Sequence, residues 1–387
     1  MDESVAIIGG AGHVGLPLAI SFANAGVRTH IYDVNVQAME AIMSGKFPFK
    51  EIHGDHQLEI ALKSGNLFTT SDPKKLAEPS VIITIIGTPV DNHLNPDPDA
   101  IRKSLQHLTP FLRNGQLLVL RSTVFPGVTA SVERLLLELN LQVDVVAAPE
   151  RITEGFAFEE LPNIPQIIGA RTEEVFLRAK SFFEAIVKEC LESTPEQAEL
   201  AKLFSNSWRY MRFAAANELY GIALQSGQDF ETIRGLMMHN YPRSLDFPKP
   251  GFAAGPCLPK DSLQLIAFSR QSSPMNSAAY SVNENLPNII VNKISTEINL
   301  QEMTVGILGM AFKSESDDSR SSLSYKLKKL LSFQCRRVIC SDPYVQDDNL
   351  KSLEEVIMDS DIIVVAIDHE EYRALQYKQK VFKVWKM

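Results

Sequence analysis

Short apolar runs alternate with helix-like segments along the first half of the chain. The run Val5–Gly9 is followed by glycines, a helical stretch of small residues and a second apolar run that ends at Asp33. Three further runs, at Val81–Ile86, Leu117–Leu120 and Val143–Ala147, are again separated by helix-like segments. Strands and helices that alternate in this order predict a parallel, doubly wound α/β sheet.

The pattern changes after Ser193. No glycine or proline occurs between Pro195 and Gly221, and a proline followed by Glu196 is typical of a helix start, so one long helix is predicted over about 196–225. Shorter helical stretches follow, and a second β-α-β series begins at Val305. The chain is therefore predicted to have three domains: an α/β domain at 1–195, a central helical domain at 196–300 and a smaller α/β domain at 301–387.

Composition restricts the class of protein. The 387 residues carry a net charge of −9, which repels polyphosphate backbones, so no nucleic-acid partner is expected. The longer apolar stretches, such as Val81–Ile86, are far shorter than the roughly 20 residues that cross a bilayer, so no membrane-spanning helix is expected. The acidic start of the chain lacks the basic residues of a secretory signal. These observations predict a cytoplasmic protein.

The six residues between the first predicted strand and helix read G-x-G-x-x-G. In this position the first glycine makes a tight turn, the second admits a pyrophosphate and the third lets the helix pack closely on the strand. Asp33 ends the second strand, where a carboxylate accepts hydrogen bonds from a ribose and repels a 2′-phosphate. The sequence therefore predicts an NAD site, rather than an FAD site or a vestigial loop. Its residues are Gly10, Gly12, His13, Val14, Gly15 and Asp33.

Three polar residues in the central region are candidates for catalysis. Lys202 and Asn206 lie one helical turn apart, so an ammonium and an amide could donate together to an oxyanion, although most lysines are simply solvated. Cys257 precedes a predicted helix start and the neighbouring Lys260. Both features favour the thiolate, although free cysteines are more often small buried apolar side chains. We interpret Cys190, Cys335 and Cys340 as small buried apolar side chains of this kind.

Other polar clusters suggest no further chemistry. The cysteines form no Cys-x-x-Cys pair, and His53 and His56 have no other His or Cys nearby in sequence, so neither a metal site nor a disulfide is predicted. The turn Gly309–Lys313 of the second series lacks the spaced glycines and is expected to bind a different ligand. The last lysines, Lys378, Lys380, Lys383 and Lys386, are predicted to form a solvated tail.

Taken in order, these motifs resemble those of the UDP-glucose/GDP-mannose dehydrogenase family over nearly the whole chain. The matching segments are Gly10–Gly15 with Asp33, Gly87-Thr88-Pro89, Ser122-Thr123-Val124 with Pro126-Gly127, Pro149-Glu150-Arg151, Ala198–Leu203 with Asn206, Asn217-Glu218, Cys257-Leu258-Pro259-Lys260-Asp261, and Ala311-Phe312-Lys313 with Asp317, Asp318 and Arg320. The resemblance implies two Rossmann-type domains around the helical one. The first domain would bind NAD, and the last would bind a UDP-sugar.

The family's activity is an NAD-dependent, four-electron oxidation of the C6 hydroxyl of a nucleotide sugar, through a thiohemiacetal and a thioester. By resemblance Cys257 is the nucleophile, Lys202 and Asn206 stabilise the oxyanion, and Asp261 orients or activates water. The implied cofactor contacts are Thr88, Pro89, Thr123, Glu150, Lys260 and Arg320. Thr123 could also order a water, and Glu150 would lie close to the reacting carbon. The implied substrate contacts are Lys202, Asn206, Arg243, Gly251, Gly255 and Lys313, with Arg243 reaching a neighbouring subunit.

The sequence indicates the substrate and the assembly less specifically than it indicates the family. UDP-glucose is the favoured substrate because of Cys257–Asp261, while Ala253, Ala254 and Pro256, in a loop that usually has several glycines, keep N-acetylhexosamine branches such as UDP-N-acetylmannosamine open. A two-electron hydroxyacid or sugar-phosphate dehydrogenase and a catalytically silent NAD or nucleotide-sugar sensor are also compatible with these motifs. The apolar side chains of the long helix predict a homodimer. They are Phe204, Trp208, Met211, Leu219 and Ile222.

Overall fold

Each half of the chain is built around a largely parallel sheet that is covered by helices. The computed structural model describes residues 4–88, 90–91, 93–270 and 272–387. The chain divides into two compact units, Met1–Phe204 and Ser205–Met387.

The first unit alternates strands and helices. Its strands are β1 (Ser4–Ile8), β2 (Arg28–Tyr32), β3 (Leu67–Thr70), β4 (Val81–Thr84), β5 (Leu117–Leu120), β6 (Asp144–Ala147), β7 (Gln166–Gly169) and β8 (Cys190–Ser193). Its helices are α1 (Gly15–Asn24), α2 (Val36–Met43), α3 (Gly54–Ser64), α4 (Ala100–Gln106), α5 (Val128–Glu138), α6 (Ala157–Glu160) and α7 (Glu173–Phe183). The long helix α8 (Pro195–Gln225) begins in this unit.

The strands of the first unit form one sheet in the order β3-β2-β1-β4-β5-β6-β7-β8. Strands β1 to β6 are parallel, whereas β7 pairs antiparallel with β6 through Ala147 and Gly169. Separate apolar clusters cover the two faces, one around Phe22 and Phe183 and the other around Leu105. The doubly wound prediction is confirmed, and the order reverses between β1 and β4, where such sheets bind ligands at their carboxyl ends.

The second unit combines long helices with a smaller sheet. Its helices are the remainder of α8, α9 (Phe230–Met238), α10 (Leu258–Phe268), α11 (Pro274–Glu297), α12 (Leu323–Ser332), α13 (Leu353–Asp359) and α14 (Glu370–Arg373). Its strands are β9 (Thr304–Leu308), β10 (Arg337–Ser341), β11 (Ile362–Val365) and β12 (Lys380–Lys383). All pairs are parallel in the order β10-β9-β11-β12, so the predicted second α/β series and the fold class are confirmed.

The lysine-rich end of the chain is not the solvated tail that the sequence predicted. Lys380 and Lys383 are the first and last residues of β12, which pairs with β11. Between them Phe382 is buried in the core of the second unit. Lysines on a short edge strand prevent it from pairing with other chains. The strand was not recognised in the sequence because it has too few apolar residues. Among the described residues, no helix has the length and apolarity that crossing a membrane requires.

Replacing Gly306 tests the packing of the small sheet. A Cβ at Gly306, within β9, would lie 2.4 Å from the Ser360 hydroxyl and 2.8 Å from side-chain carbons of Val356 and Ile363. We expect Gly306→Ala to lower the free energy of unfolding by about 1–3 kcal/mol, because extra volume in a packed core is costly. Urea unfolding followed by circular dichroism measures this change.

Gly235→Ala is the matched control in the same unit. Gly235 lies exposed within α9, and nothing lies within 4 Å of its added Cβ. This variant should gain up to about 1 kcal/mol, since glycine inside a helix loses more backbone entropy than alanine. Equal stabilities of the two variants would contradict the packing described for β9.

Candidate active site

The glycine-rich turn after β1 forms a cradle at the N-terminus of α1. A Cβ at Gly15 would meet the Gly9 carbonyl oxygen at 2.4 Å, so only glycine lets α1 approach this closely. At Gly12 the nearest atom to an added Cβ is 3.7 Å away, so the surface there is open. His13 stacks on Phe49 with ring centroids 4.1 Å apart, and Val14 is the N-cap of α1. These features fit the pyrophosphate of NAD beside the helix N-terminus.

Asp33 holds this turn from the end of β2. Its Oδ2 accepts the N–H of Ala11 at 3.0 Å, and its Oδ1 accepts the N–H of Asn35 at 2.9 Å. The carboxylate therefore fixes the turn and lies beside it, where the ribose of a bound dinucleotide is expected.

Two loops meet beyond the carboxyl ends of β4 and β5. The Thr88 hydroxyl donates to the carbonyl of Thr123 at 2.7 Å. This bond joins two residues that the sequence assigns to the cofactor. Pro89, the third residue of that motif, lies outside the described residues.

Glu150 is held by a buried arginine. The guanidinium of Arg121, whose side chain has no exposed surface, donates to Glu150 Oε2 and, at 2.7 Å, to Gln166. Glu150 Oε1 accepts the N–H groups of Arg151 at 2.7 Å and Ile152 at 3.0 Å. A carboxylate with this many donors has a fixed orientation.

A second buried carboxylate fastens the start of α8. Glu199 accepts the N–H groups of Gly127 at 2.7 Å and Thr129 at 2.8 Å, and the Thr129 hydroxyl at 2.6 Å, at the N-terminus of α5. A negative charge at a helix N-terminus is favourable. Lys202 follows one turn later and is half-buried.

Asn206 and Asp261 are in direct contact. The Asn206 amide donates to Asp261 Oδ2 at 2.6 Å, and the Lys260 ammonium lies 2.6 Å from Asp261 Oδ1. Both Asn206 and Asp261 are buried. Three residues, one of them far from the others in sequence, therefore form one polar cluster, in which the carboxylate fixes the direction of the amide.

Cys257 lies at the start of the helix that carries this cluster. It is the N-cap of α10, its carbonyl accepts the N–H of Asp261 at 2.9 Å, and the residue is exposed. The helix start after Cys257 is as the sequence predicted. By contrast, burial raises the pKa of Cys190 to about 11 and that of Cys340 to about 12, and it also raises the pKa of Cys335. Those three thiols are poorly suited to nucleophilic chemistry at neutral pH.

The loop before Cys257 is clamped by Asn217 of α8. The Asn217 amide donates to the Gly251 carbonyl at 3.0 Å, and its oxygen accepts the Gly251 N–H at 2.9 Å. Within the described residues, the positive φ angles of this loop fall on Gly251 (150°) and Gly255 (97°). Ala253 and Ala254 are buried, and neither has a positive φ, so both occupy positions that do not require glycine.

Gly255 packs against the turn that follows β9. An added Cβ would lie 2.4 Å from a ring carbon of Phe312, and the Gly255 N–H contacts the carbonyl of Ser321 at 3.4 Å. The ammonium of Lys313 lies 5.7 Å from the centre of the Phe312 ring. The loop that carries the candidate nucleophile and the turn that carries a candidate substrate lysine are thus in contact.

Two predicted arginines are exposed. Arg320 makes a bidentate pair with the buried Asp318, at 2.7 to 3.0 Å. Arg243 lies over the ring of Tyr241, 5.6 Å from its centre. Among the described residues, no group of three His, Cys, Asp or Glu side chains has the geometry of a metal site.

Comparison with known sequences identifies the family. The chain matches three domain profiles of the UDP-glucose/GDP-mannose dehydrogenase family: the NAD binding domain at 3–187, the central domain at 196–285 and the UDP binding domain at 306–385. This chain belongs to that family. The UDP-glucose/GDP-mannose dehydrogenases are NAD-dependent oxidoreductases that act on nucleotide sugars, so the predicted enzyme class, cofactor and family are confirmed.

Similar proteins include dehydrogenases of two kinds of sugar. The UDP-N-acetyl-D-mannosamine dehydrogenase of Pyrococcus horikoshii is 30% identical, over 95% of this chain and 90% of that protein. The enzyme of the same name from Methanocaldococcus jannaschii is 30% identical, over 94% and 85%. The structure of a UDP-glucose dehydrogenase from Pyrobaculum islandicum is 26% identical, with a TM-score of 0.91, and the match covers 100% of this chain and 95% of that one.

Several site-building residues were not identified from the sequence. Arg121, Glu199 and His369 have no exposed side chain or almost none, yet each is polar. One signal was available for Arg121, because a charge directly after the apolar run Leu117–Leu120 is unusual. Glu199 and Asn217 were parts of family motifs but had no assigned role.

Gly255→Ala should disturb the contact between Phe312 and the loop that precedes Cys257. We expect it to be less stable than Gly251→Ala by about 1–3 kcal/mol, because only the first variant places a methyl group against the ring. Both positions have positive φ, so the comparison removes the shared backbone strain. Thermal unfolding of the two variants measures the difference, and equal stabilities would show that Phe312 does not pack as described.

Proposed function

We propose that the chain catalyses the NAD-dependent, four-electron oxidation of the C6 hydroxyl of a UDP-N-acetylhexosamine, with UDP-N-acetylmannosamine as the first candidate. The observation that carries the proposal is the exposed Cys257 at the N-terminus of α10. The first turn of α10 also bears Asp261, which accepts a hydrogen bond from Asn206 of α8. A thiol and an amide donor on adjoining elements match a reaction that passes through an acyl-cysteine.

The first unit supplies the cofactor site. Gly10, Gly12, Gly15 and the N-terminus of α1 hold the pyrophosphate, and Asp33 accepts hydrogen bonds from the adenosine ribose. When bound, NAD accepts the two electrons of each oxidation as a hydride. Thr88, Thr123, Glu150, Lys260 and Arg320 complete its surroundings.

Cys257 makes the second oxidation possible. After the first oxidation, its thiolate adds to the carbon of the C6 aldehyde, and the carbonyl oxygen takes up a proton to give a thiohemiacetal. Loss of that proton and of a hydride from the same carbon gives a thioester. Water then adds to the thioester carbon and the C–S bond breaks, which releases the thiolate, a carboxylate and two protons. Each turnover therefore consumes one water and two NAD.

The donors around the carbon stabilise charge on its oxygen. Lys202 and Asn206 donate to the oxyanion, a role that in other enzymes is worth about 3–4 kcal/mol of barrier for each donor. Asp261 fixes the Asn206 amide and orients or activates water. Thr123 orders a water, and Glu150, which Arg121 keeps in one orientation, lies near the reacting carbon.

The substrate is bound by Lys313, Gly251 and Gly255, with Arg243 reaching a neighbouring subunit. The sequence favoured UDP-glucose, but the curated relatives at 30% identity act on UDP-N-acetyl-D-mannosamine, so that sugar now takes precedence. UDP-glucose is the second candidate because a UDP-glucose dehydrogenase has the same fold over the whole chain.

We also propose the three-domain division at 1–195, 196–300 and 301–387, and a homodimer. Four apolar side chains of α8 share one helical face and are 40% to 58% exposed, namely Phe204, Trp208, Leu219 and Ile222. Met211 is half-buried on the same face. A second copy of this chain would cover this stripe, since exposed apolar patches commonly mark contacts between proteins.

Turnover against a panel of UDP- and GDP-sugars tests the function. We expect two NADH and one uronate per sugar, with the highest kcat/KM for UDP-N-acetylmannosamine. Cys257→Ala should lower turnover by at least about 1,000-fold, since removal of a covalent nucleophile is rarely compensated. Cys335→Ala, which removes a half-buried thiol, is the control and should keep normal activity.

Different outcomes distinguish the competing functions. One NADH per sugar, with near-normal activity of Cys257→Ala, would show a two-electron dehydrogenase. Binding of NAD and nucleotide sugar without turnover would show a sensor. A clear preference for UDP-glucose would overturn the proposed substrate but not the mechanism.

Light scattering tests the assembly. We expect twice the mass of one chain at micromolar concentration, and Trp208→Glu should give the monomer mass because a charge on the stripe is costly to bury. Leu236→Glu, at an exposed apolar residue of α9, is the control and should leave the mass unchanged. A wild-type monomer would contradict the proposal.

A further inference from the structure

The proposed reaction does not use the buried imidazole of His369. This residue follows β11 at the carboxyl edge of the small sheet, and its side chain has no exposed surface. The edge between β9 and β11 is where the strand order reverses, which is where such sheets bind ligands. A fully buried polar ring at this position requires partners to offset its lost hydration.

The loop after β9 supplies one partner. The backbone N–H of Glu315 donates to His369 Nδ1 at 3.1 Å. A ring nitrogen that accepts a hydrogen bond carries no proton, so the proton of the neutral ring is on Nε2. Nε2 lies 3.3 Å from Oδ2 of Asp342, the residue that follows β10. His369 therefore joins the loops that follow β9 and β10.

Asp342 in turn holds the backbone of both loops. Its Oδ2 accepts the N–H groups of Met310 at 2.6 Å and Ala311 at 2.9 Å, while its Oδ1 accepts those of Tyr344 and Val345. Burial raises the pKa of this carboxyl, but the hydrogen bonds from His369, Tyr344 and Val345 outweigh it and hold the pKa below its usual value. The group is a carboxylate at neutral pH.

Glu315 is held in a conformation that costs energy. Its φ is +56°, a region that side chains other than glycine seldom adopt. Its carboxylate accepts the Tyr344 hydroxyl at 3.0 Å and the Glu370 N–H at 2.8 Å, while its own N–H is bound by His369. These bonds keep the segment 311–318, which includes Lys313, in one shape.

We propose that His369 is a positioning residue for the nucleotide sugar: it fixes segment 311–318 through Glu315 and Asp342, and so places Lys313 against the substrate. The inference rests on the substrate role of Lys313 proposed above. The first sheet offers a contrast. There Asp33, like Asp342, follows the second strand and holds the loop of the first. Asp33 is half-exposed beside the NAD cradle, whereas the side chain of Asp342 has no exposed surface and lies against His369.

Calorimetric titration with UDP and with NAD tests this role without requiring turnover. His369→Ala removes both contacts of the ring. We expect it to weaken UDP binding by at least about fivefold, the equivalent of one lost hydrogen bond, and to change NAD binding by less than about twofold. His369→Asn places an amide oxygen near the position of Nδ1, so it should restore most of the UDP affinity.

A pair of tyrosine variants repeats the test without touching the histidine. Tyr344 and Tyr325 each donate a hydroxyl to a carboxylate at 3.0 Å, Tyr344 to Glu315 and Tyr325 to Asp347. Tyr344→Phe should weaken UDP binding by about threefold to fivefold, and Tyr325→Phe should not change it. This pair decides the question if His369→Ala does not fold.

The proposal is overturned if His369→Ala binds UDP as the wild type does, if UDP and NAD binding weaken in parallel, or if asparagine restores nothing. Equal UDP affinities of the two tyrosine variants would overturn it as well. A wild-type protein that binds UDP but oxidises no nucleotide sugar refutes the proposed function alone, because these titrations remain readable.

Discussion

Acidic side chains that accept backbone N–H groups hold the loops that carry or adjoin the candidate site residues of this protein. Asp33 binds the glycine turn through Ala11, Glu199 binds the N-terminus of α5 through Thr129, and Asp342 binds the turn after β9. Residues in loops lack the repeated backbone pairing of strands and helices, so each loop needs another acceptor. A charged acceptor is stronger than a neutral one, and one carboxylate can take several donors. These carboxylates therefore supply the hydrogen-bond acceptors that the loops at the sheet edges lack.

Local sequence patterns predicted the elements whose formation depends on residues that are close together in the chain. The strand-turn-helix that includes Gly10–Gly15 is visible because glycine spacing, apolar strands and a small-residue helix all agree. The helix after Cys257 was predicted for the same reason. The strands β3, β7, β8 and β12 were not identified, because each has only two apolar side chains and gains its stability from neighbours far away in sequence. Leu191 and Glu192 of β8 are even exposed, so their strand has no apolar alternation to detect.

In the candidate site, too, local motifs predicted residues but not the long-range contacts between them. Motifs pointed to Asn206, Cys257 and Asp261, but not to the contacts that orient them. Glu150 pairs with an arginine 29 residues earlier, and Glu199 binds residues about 70 positions away, separations that no spacing rule covers. Substrate preference was the least accessible property, since the role proposed for the motif around Cys257 is the chemistry at C6, which is the same whatever substituent the sugar carries at its second carbon.

The contact between Gly255 and Phe312 has a consequence for how such an enzyme changes. Because the loop that carries the proposed nucleophile, Cys257, packs on the turn after the first strand of the small sheet, the proposed reactive group and the proposed substrate lysine share one structural support. A substitution that reshapes the turn to admit a different base or sugar also displaces the sulfur. Substitutions that change the substrate are therefore expected to keep the Phe312 ring and to occur at residues farther along the edge of the sheet.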